Sequence, residues 1–497
     1  MAAQSLPRDG SSSGRGLMLL LNVRSDITLS ALRRVAWEGE GVELGPDAIA
    51  RMDRSHESFD AYVRARLAED PESVIYGVTT GPGDDGRRNL SQEAASRRPT
   101  RLWTAASFGE PLPERVVRGI VLARLANFVE GHATARAEVG RAIAAMLDAE
   151  RLPSVPVQGN GGAGEVLALG HIFYDLSVRL ELTPKERMAL LNGSPCAAAL
   201  VGDAALTAHG RSVLAESVFA LAVEAVGAPL EAYSADVELL WDDEQETSAL
   251  RSLRSFLDGH RTGRLAYQSP VSFRILGRVL GQARRARSEA EDAAATALRS
   301  VSDNPVYVPP DDSRPLGTVF STGGYHNSRA TAALDGLAFA WADLCQLAQR
   351  QADALFQHPA TAPFLGLESG VKALHMVQNG WAEEARGLAQ PTRLSLGSFG
   401  QNDVPTLPFL AWRKAMGVGL CLDASLAVLA VLAVHALHGA GQTAPPSLAG
   451  LMEEVLATVP PVETTRRVGP DCGALSAAFT ARVFSARARA VPGDDRS

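Results

Sequence analysis

The sequence predicts a mainly α protein: a long helical bundle behind a smaller N-terminal part of mixed α/β character. Three observations predict it. Segments 210–230, 272–300, 329–356, 371–389 and 410–439 are rich in Ala, Leu and Arg and place apolar residues at helical spacing. Strand-like runs, Leu17 to Val23 and Val74-Ile75-Tyr76, are short and confined to the first part of the chain. With 497 residues, 46% hydrophobic and 21% charged, the chain can bury a large core.

Residues 1–16, MAAQSLPRDGSSSGRG, are polar and rich in Gly and Ser; they are expected to be disordered and contain no signal-peptide pattern. Residues 17–205 are expected to form the N-terminal domain and 206–497 the helical-bundle domain. Leu17 to Val23 is too short to span a bilayer and reads as a buried strand. Val74 to Tyr76 reads as a strand running into a glycine-rich loop, Gly77 to Gly86. Pro153 to Pro156 precedes a second loop, Gly159 to Gly164, and helical patterning dominates from about Thr183. Gly, Pro, Asp and Asn concentrate in Val301 to Gly324 and Pro391 to Pro408. Such loops meet helix ends, where free N–H groups and positive potential favour ligand sites. Ala424 to Leu437 is apolar but short for a membrane span and is interrupted by His435, so a core helix is expected.

A net charge of −8 gives no support for nucleic-acid binding. The one basic cluster, Arg284, Arg285 and Arg287, reads as a solvated helix face. Cys196, Cys345, Cys421 and Cys472 are far apart and fit neither zinc nor disulfide spacing, as expected of a reduced, cytoplasmic protein. No metal site, phosphate loop or membrane anchor is predicted.

Four segments carry candidate chemistry, each against a plainer alternative. In IYGVTTGPG, Tyr76 either projects a phenol as a base or packs before an ordinary turn. In ALLNGSP, Asn192 either offers its amide to a ligand or simply ends a helix with Gly193. In YQSPVSFR, Gln268 and Arg274 lie six residues apart, and Arg274 either clamps a carboxylate or sits on the surface. SVSDNPVY and STGGYH bring Asp303, Asn304, Tyr325 and His326; Asp-Asn-Pro is also a common turn.

Taken in order, these segments resemble the histidine, phenylalanine and tyrosine ammonia-lyases and related aminomutases. The similarity starts near Asp26-Ile27-Thr28-Leu29 and runs through Tyr76 to Gly83, Leu190 to Gly193, Gln268 to Arg274 and Ser302 to Pro305. It continues through Gly323 to His326, Pro363 to Leu365, Gln401 to Asp403 and Val459 to Asp471. The resemblance implies an ammonia-lyase-like, mainly α fold with a long central helical bundle. It also implies a homotetramer whose active sites are shared between chains and a small-molecule substrate. By the same resemblance Tyr76 is the catalytic base, Asn192 and Tyr325 line the reacting centre, and Arg274 binds the substrate carboxylate. Gln268, Asn304 and Gln401 match positions near cofactor or substrate.

Four positions depart from that pattern. The family builds the electrophile methylideneimidazolone (MIO) from Ala-Ser-Gly. Here the stretch reads Gly159-Asn160-Gly161-Gly162-Ala163-Gly164-Glu165, so Gly162, Ala163 and Gly164 form a degenerate cofactor loop with no hydroxyl to eliminate. Val271 stands where a tyrosine is expected, Trp103-Thr104 at the selectivity position, and Asn402 where an acid is expected. The expectation is an enzyme with no MIO: a lyase, isomerase or cyclase using Tyr76 on an activated aromatic or amino-acid-derived carboxylate, of the kind found in secondary metabolism. The alternatives are a conventional ammonia-lyase or aminomutase and a non-catalytic binding or scaffold protein.

Overall fold

The computed structural model describes residues 18–83, 86, 102, 104–265, 268–366, 370–394, 397, 400–461 and 466–485. The N-terminal segment expected to be disordered and Trp103 lie outside the described residues. Strands β1 (Met18–Leu21) and β2 (Gly41–Leu44) pair in parallel, Met18 opposite Gly41. Their side chains alternate in exposure, so Leu19, Leu21, Val42 and Leu44 enter the core.

The helices that follow are α1 (Pro46–Glu69), α2 (Glu114–Val129), α3 (Ala137–Ala145), α4 (Val166–Arg179), α5 (Pro184–Leu191) and α6 (Pro195–Val226). Then come α7 (Glu244–Phe256), α8 (Leu276–Leu298), α9 (Ser328–Gln357), α10 (Leu374–Leu388), α11 (Pro408–Gly439), α12 (Ala449–Thr458) and α13 (Gly469–Val483). Between α8 and α9, β3 (Val306–Val308) and β4 (Thr318–Phe320) form an antiparallel pair. The mainly α expectation holds, and the long helices fall where the periodic segments placed them. α11 is long and apolar enough to cross a membrane, but its apolar window is mostly buried inside the protein.

Two expectations change. Val74 to Tyr76 is not a strand. Thr79 Oγ1 accepts the N–H of Ile75 at 2.8 Å and donates to Ser73 O, while the N–H groups of Val78 and Thr79 return to Ile75 O. The backbone is thereby folded into a turn before it can join a ladder. Arg284 is not part of a bare solvated face: its guanidinium grips Glu216 at 2.6 and 2.8 Å and is largely buried.

The chain divides into two compact units, with boundaries inside α6, α8, α9 and α11 and after Pro391. The first runs to Asp203 and takes in Glu291–Ala332 and Thr392–Trp412; the second holds Ala204–Ala290, Ala333–Pro391 and the chain from Arg413. In the first, α2 is buried along nearly its whole length, from Val116 to Val129. In the second, Arg211 and Asp423 form a buried two-pronged ion pair at 3.0 and 2.9 Å, and Thr480 donates to the same carboxylate.

Candidate active site

In the first unit Tyr76 sits half-buried in the turn after α1. Its phenol oxygen accepts the N–H of Gly83 at 2.8 Å. The ring lies against Gly86, where an added Cβ would come within 2.7 Å of Tyr76 Cε2 and 3.2 Å of Gln401 Nε2. Asn402 approaches Gly83 in the same way, with Nδ2 at 3.4 Å. The fold thus gathers Tyr76, Gln401 and Asn402, although more than 300 residues of sequence separate the tyrosine from the other two. Gly83, with φ of +60°, needs the freedom of a residue without a side chain.

The 400–406 segment also reaches the Gly159–Gly164 loop, because Thr406 N donates to Gly162 O at 2.8 Å. On its other flank Gly164 lies against Tyr325, whose Cβ and Cδ2 would be 3.8 Å from a Cβ at that position. Among the described residues the N–H groups of Gly161, Gly162, Ala163 and Gly164 make no hydrogen bond. They stand as unused donors before the first turn of α4. Next to Tyr325, His326 shares Nδ1 with Ser328 Oγ at 3.1 Å, and its buried Nε2 has no partner among the described residues.

Asn192 ends α5, a helix started by a reciprocal cap: Thr183 Oγ1 accepts from Glu186 N, and Glu186 Oε2 from Thr183 N. Asn192 Nδ2 donates to Asn304 O at 2.7 Å. One of the two amide N–H groups is thereby used, which fixes the side chain and leaves its carbonyl oxygen and second N–H for a ligand. Asn304 is held in turn, its Oδ1 accepting from Thr322 N at 2.9 Å and its N–H donating to Asp303 Oδ1 at 2.8 Å. Asp303 also takes the ammonium of Lys185 at 2.8 Å, with both side chains almost wholly buried. Lys185 begins the helix that Asn192 ends, so one loop, Ser302–Asn304, anchors both ends of α5. Asn-Pro here is a cis peptide and a hub of hydrogen bonds rather than a plain surface turn.

Sequence reasoning missed Glu165, Lys185 and Arg124. Glu165 follows the Gly159–Gly164 loop, and its carboxylate accepts the N–H groups of Cys196 at 2.6 Å and Ala197 at 2.7 Å, capping the first turn of α6. It is 3% exposed. Arg124 is buried beside it, bonded through Nη1 to Asn192 O, with Nε and Nη2 unpartnered among the described residues. Burial pushes the Glu165 carboxyl up to about 7, against the pull of the two N–H donors and the Arg124 charge. Burial and the Glu165 charge push the Cys196 thiol well above its usual value, so it is inert. The forward signal for Glu165 and Lys185 was polar character at the start of an apolar segment, and for Arg124 a charge inside the apolar run Val116–Val129.

The sign of the Glu165 effect is definite. The folded chain holds this proton more tightly than the unfolded chain, so the contribution is full below about pH 4.5 and lost as pH rises to about 7. Unfolding free energy should therefore decline by up to about 3 kcal/mol across that window. Glu165→Gln should flatten this part of the profile in denaturant titrations at stepped pH; an unchanged slope would rule the assignment out.

Thr104 is buried, its hydroxyl seated in the notch left by Gly170 on α4 and without a partner among the described residues. Gln268, Val271 and Arg274 belong to the second unit. Arg274 Nε donates to Ser269 O at 3.0 Å at the end of the helical turn Val271–Arg274. That turn is pinned through its backbone: Tyr233 OH donates to Phe273 O at 2.6 Å and Gln351 Nε2 to Ser272 O at 2.9 Å. Burial raises the Tyr233 phenol, which keeps it a donor. The Val271 side chain is left 57% exposed and lines a cavity of about 620 Å³ with Arg350, Asp353 and His358. The four cysteines are free and buried, and no cluster of metal-ligating side chains occurs among the described residues.

Comparison with known proteins agrees with this architecture. The profile of the aromatic amino acid lyases matches residues 27–178 and 174–459. Histidine ammonia-lyase of Symbiobacterium thermophilum is 29% identical over 502 residues, covering 92% of this chain and 96% of the relative. That of Deinococcus radiodurans is 30% identical over 408 residues, covering 74% and 75%. Among solved structures, ergothionase of Treponema denticola superposes with a TM-score of 0.83 at 17% identity, covering 94% of this chain and 99% of that one. Tyrosine aminomutase of Streptomyces globisporus gives 0.80 at 22% identity, covering 93% and 98%.

Proposed function

The chain belongs to the aromatic amino acid lyase family, and from that premise we propose an MIO-independent lyase, isomerase or cyclase acting on an activated, carboxylate-bearing metabolite. The observation that carries the reading is the loop itself. Gly159 to Glu165 holds no serine or cysteine, so no side chain there can lose water to form the methylidene carbon. The residues do not fit the cofactor.

What remains is acid–base and hydrogen-bonding chemistry. One positioned base contributes about 10²–10⁴-fold, and one well-aimed donor to a developing oxyanion about 2.7–4 kcal/mol. Neither suffices for an unactivated benzylic proton beside an amine. The substrate must bring its own activation: a proton next to a carbonyl or imine, an electron-poor alkene or a good leaving group. Tyr76 takes that proton, and the unused N–H groups of Gly162, Ala163 and Gly164 suit the oxygen on which charge then develops. The Asn192 carbonyl accepts from an N–H or O–H of the substrate. Arg274, in the exposed turn of the second unit, holds an anionic group, and Gln268, Tyr325 and Gln401 orient the substrate. The homotetramer with active sites shared between chains belongs to the same proposal and is checked by light scattering.

Intact-mass measurement of the purified chain tests the premise. We expect the encoded mass; a chain lighter by two waters would mean that the usual cyclisation and dehydration had occurred, returning the protein to conventional deamination. Incubation with aryl carboxylates bearing an acidic Cα proton, followed by mass analysis of products, then tests turnover. Binding without conversion across that set would favour a scaffold.

A further inference from the structure

We propose that the first unit carries a second small-molecule site, separate from the residues above, for an α-amino acid with an apolar side chain. A cavity of about 530 Å³ opens between the end of α3 and the middle of α4, with Arg151 to Pro153 as its third wall. That volume is in the range of small-molecule sites. Leu152, Ile172 and Leu176 supply an apolar floor, the latter two fully buried. Arg151, Asp175 and Arg179 stand on the rim.

The rim charges are uncommitted. Among the described residues Arg151 makes no hydrogen bond or ion pair, and the Asp175 carboxylate makes none. Arg179 only donates Nε to the Asp175 backbone oxygen at a long 3.4 Å. Elsewhere on this chain exposed arginines commonly take a carboxylate, as Arg285 takes Asp243 and Arg278 takes Glu246. Two free guanidinium groups suit a carboxylate. A fatty acid would give its carboxylate to the arginines but offer no donor to Asp175, and a simple amine would face both arginines. An amino acid satisfies all three charges while its side chain covers the floor.

The walls also border the loop of the candidate site. Arg151 to Pro153 leads through the pairing of Leu112 N with Val155 O and Val157 N with Glu110 O into Gly159–Gly164, and α4 leaves it. A ligand here bridges both stems of that loop, which makes the site an effector site.

The test is hydrogen–deuterium exchange on the full chain titrated with L-leucine, with 4-methylpentanoate and 3-methylbutylamine as probes lacking one charge each. L-Leucine should slow exchange in residues 142–153 and 172–179, and each single-charge probe should bind about ten-fold more weakly or worse. Arg151→Ala/Arg179→Ala should weaken protection by L-leucine by a similar factor; both arginines are exposed, so folding should persist. Ala145→Trp, which fills the cavity without touching its charges, should abolish protection. No protection there in the wild type, equal protection in these variants, or protection confined to the Arg274 turn would each overturn the site. The outcome is independent of the proposed reaction, because neither Tyr76 nor Arg274 takes part.

Discussion

Tyr76→Phe is expected to lower turnover by about 10²–10⁴-fold, the usual contribution of one positioned general base. The substitution removes a single oxygen. The ring keeps its place against Gly86, while Gly83 N–H loses its acceptor. Because that hydrogen bond is half-buried, stability should fall by only about 1 kcal/mol. A large kinetic loss with a small structural one separates a proton-transferring phenol from a packing ring. The measurement is single-turnover rate on whichever activated carboxylate the wild type converts. Equal rates for the two proteins would remove Tyr76 from the chemistry.

Lys185→Met should have the largest effect on folding. It leaves the Asp303 carboxylate buried without its ion-pair partner and with only the Asn304 N–H as donor, a situation that costs about 3–5 kcal/mol. Urea titration of wild type and variant gives the difference. Lys185→Met/Asp303→Leu should recover much of it, because a buried pair replaced as a whole leaves no orphaned charge. The double variant should nevertheless lose the anchoring of Asn304 N, and with it the seat of Asn192. Near-native stability combined with weakened activity is therefore expected of it. A single-variant loss below about 1 kcal/mol, the value of a solvated surface pair, would show that the charges are not desolvated.

The helical part of the fold was legible because its cause is local. Apolar residues at a 3.6 period bury one face wherever the segment lies, and α8, α9, α10 and α11 lie on the segments so marked, while α6 starts earlier, at Pro195. The error at Val74–Tyr76 is also instructive. A Val-Ile-Tyr run suits a strand, but Thr79 offered Ile75 N–H a nearer partner, and a side chain four residues away outweighed propensity.

The absence of serine from Gly159–Glu165 was equally legible, being a matter of composition. By itself, then, the sequence determined a mainly α chain, its family, and a Gly159–Glu165 stretch without serine. Only the tertiary structure decided what surrounds that loop: Thr406 and Tyr325 on its flanks, Glu165 tying its end to α6, and Lys185 with Asp303 securing the loop that holds Asn192. These links join residues from 31 positions apart, Glu165 to Cys196, to 244 apart, Gly162 to Thr406 (406 − 162). Whether a carboxylate is buried, paired or near neutral pH depends on its neighbours in space. No pattern along the chain encodes those neighbours one residue at a time.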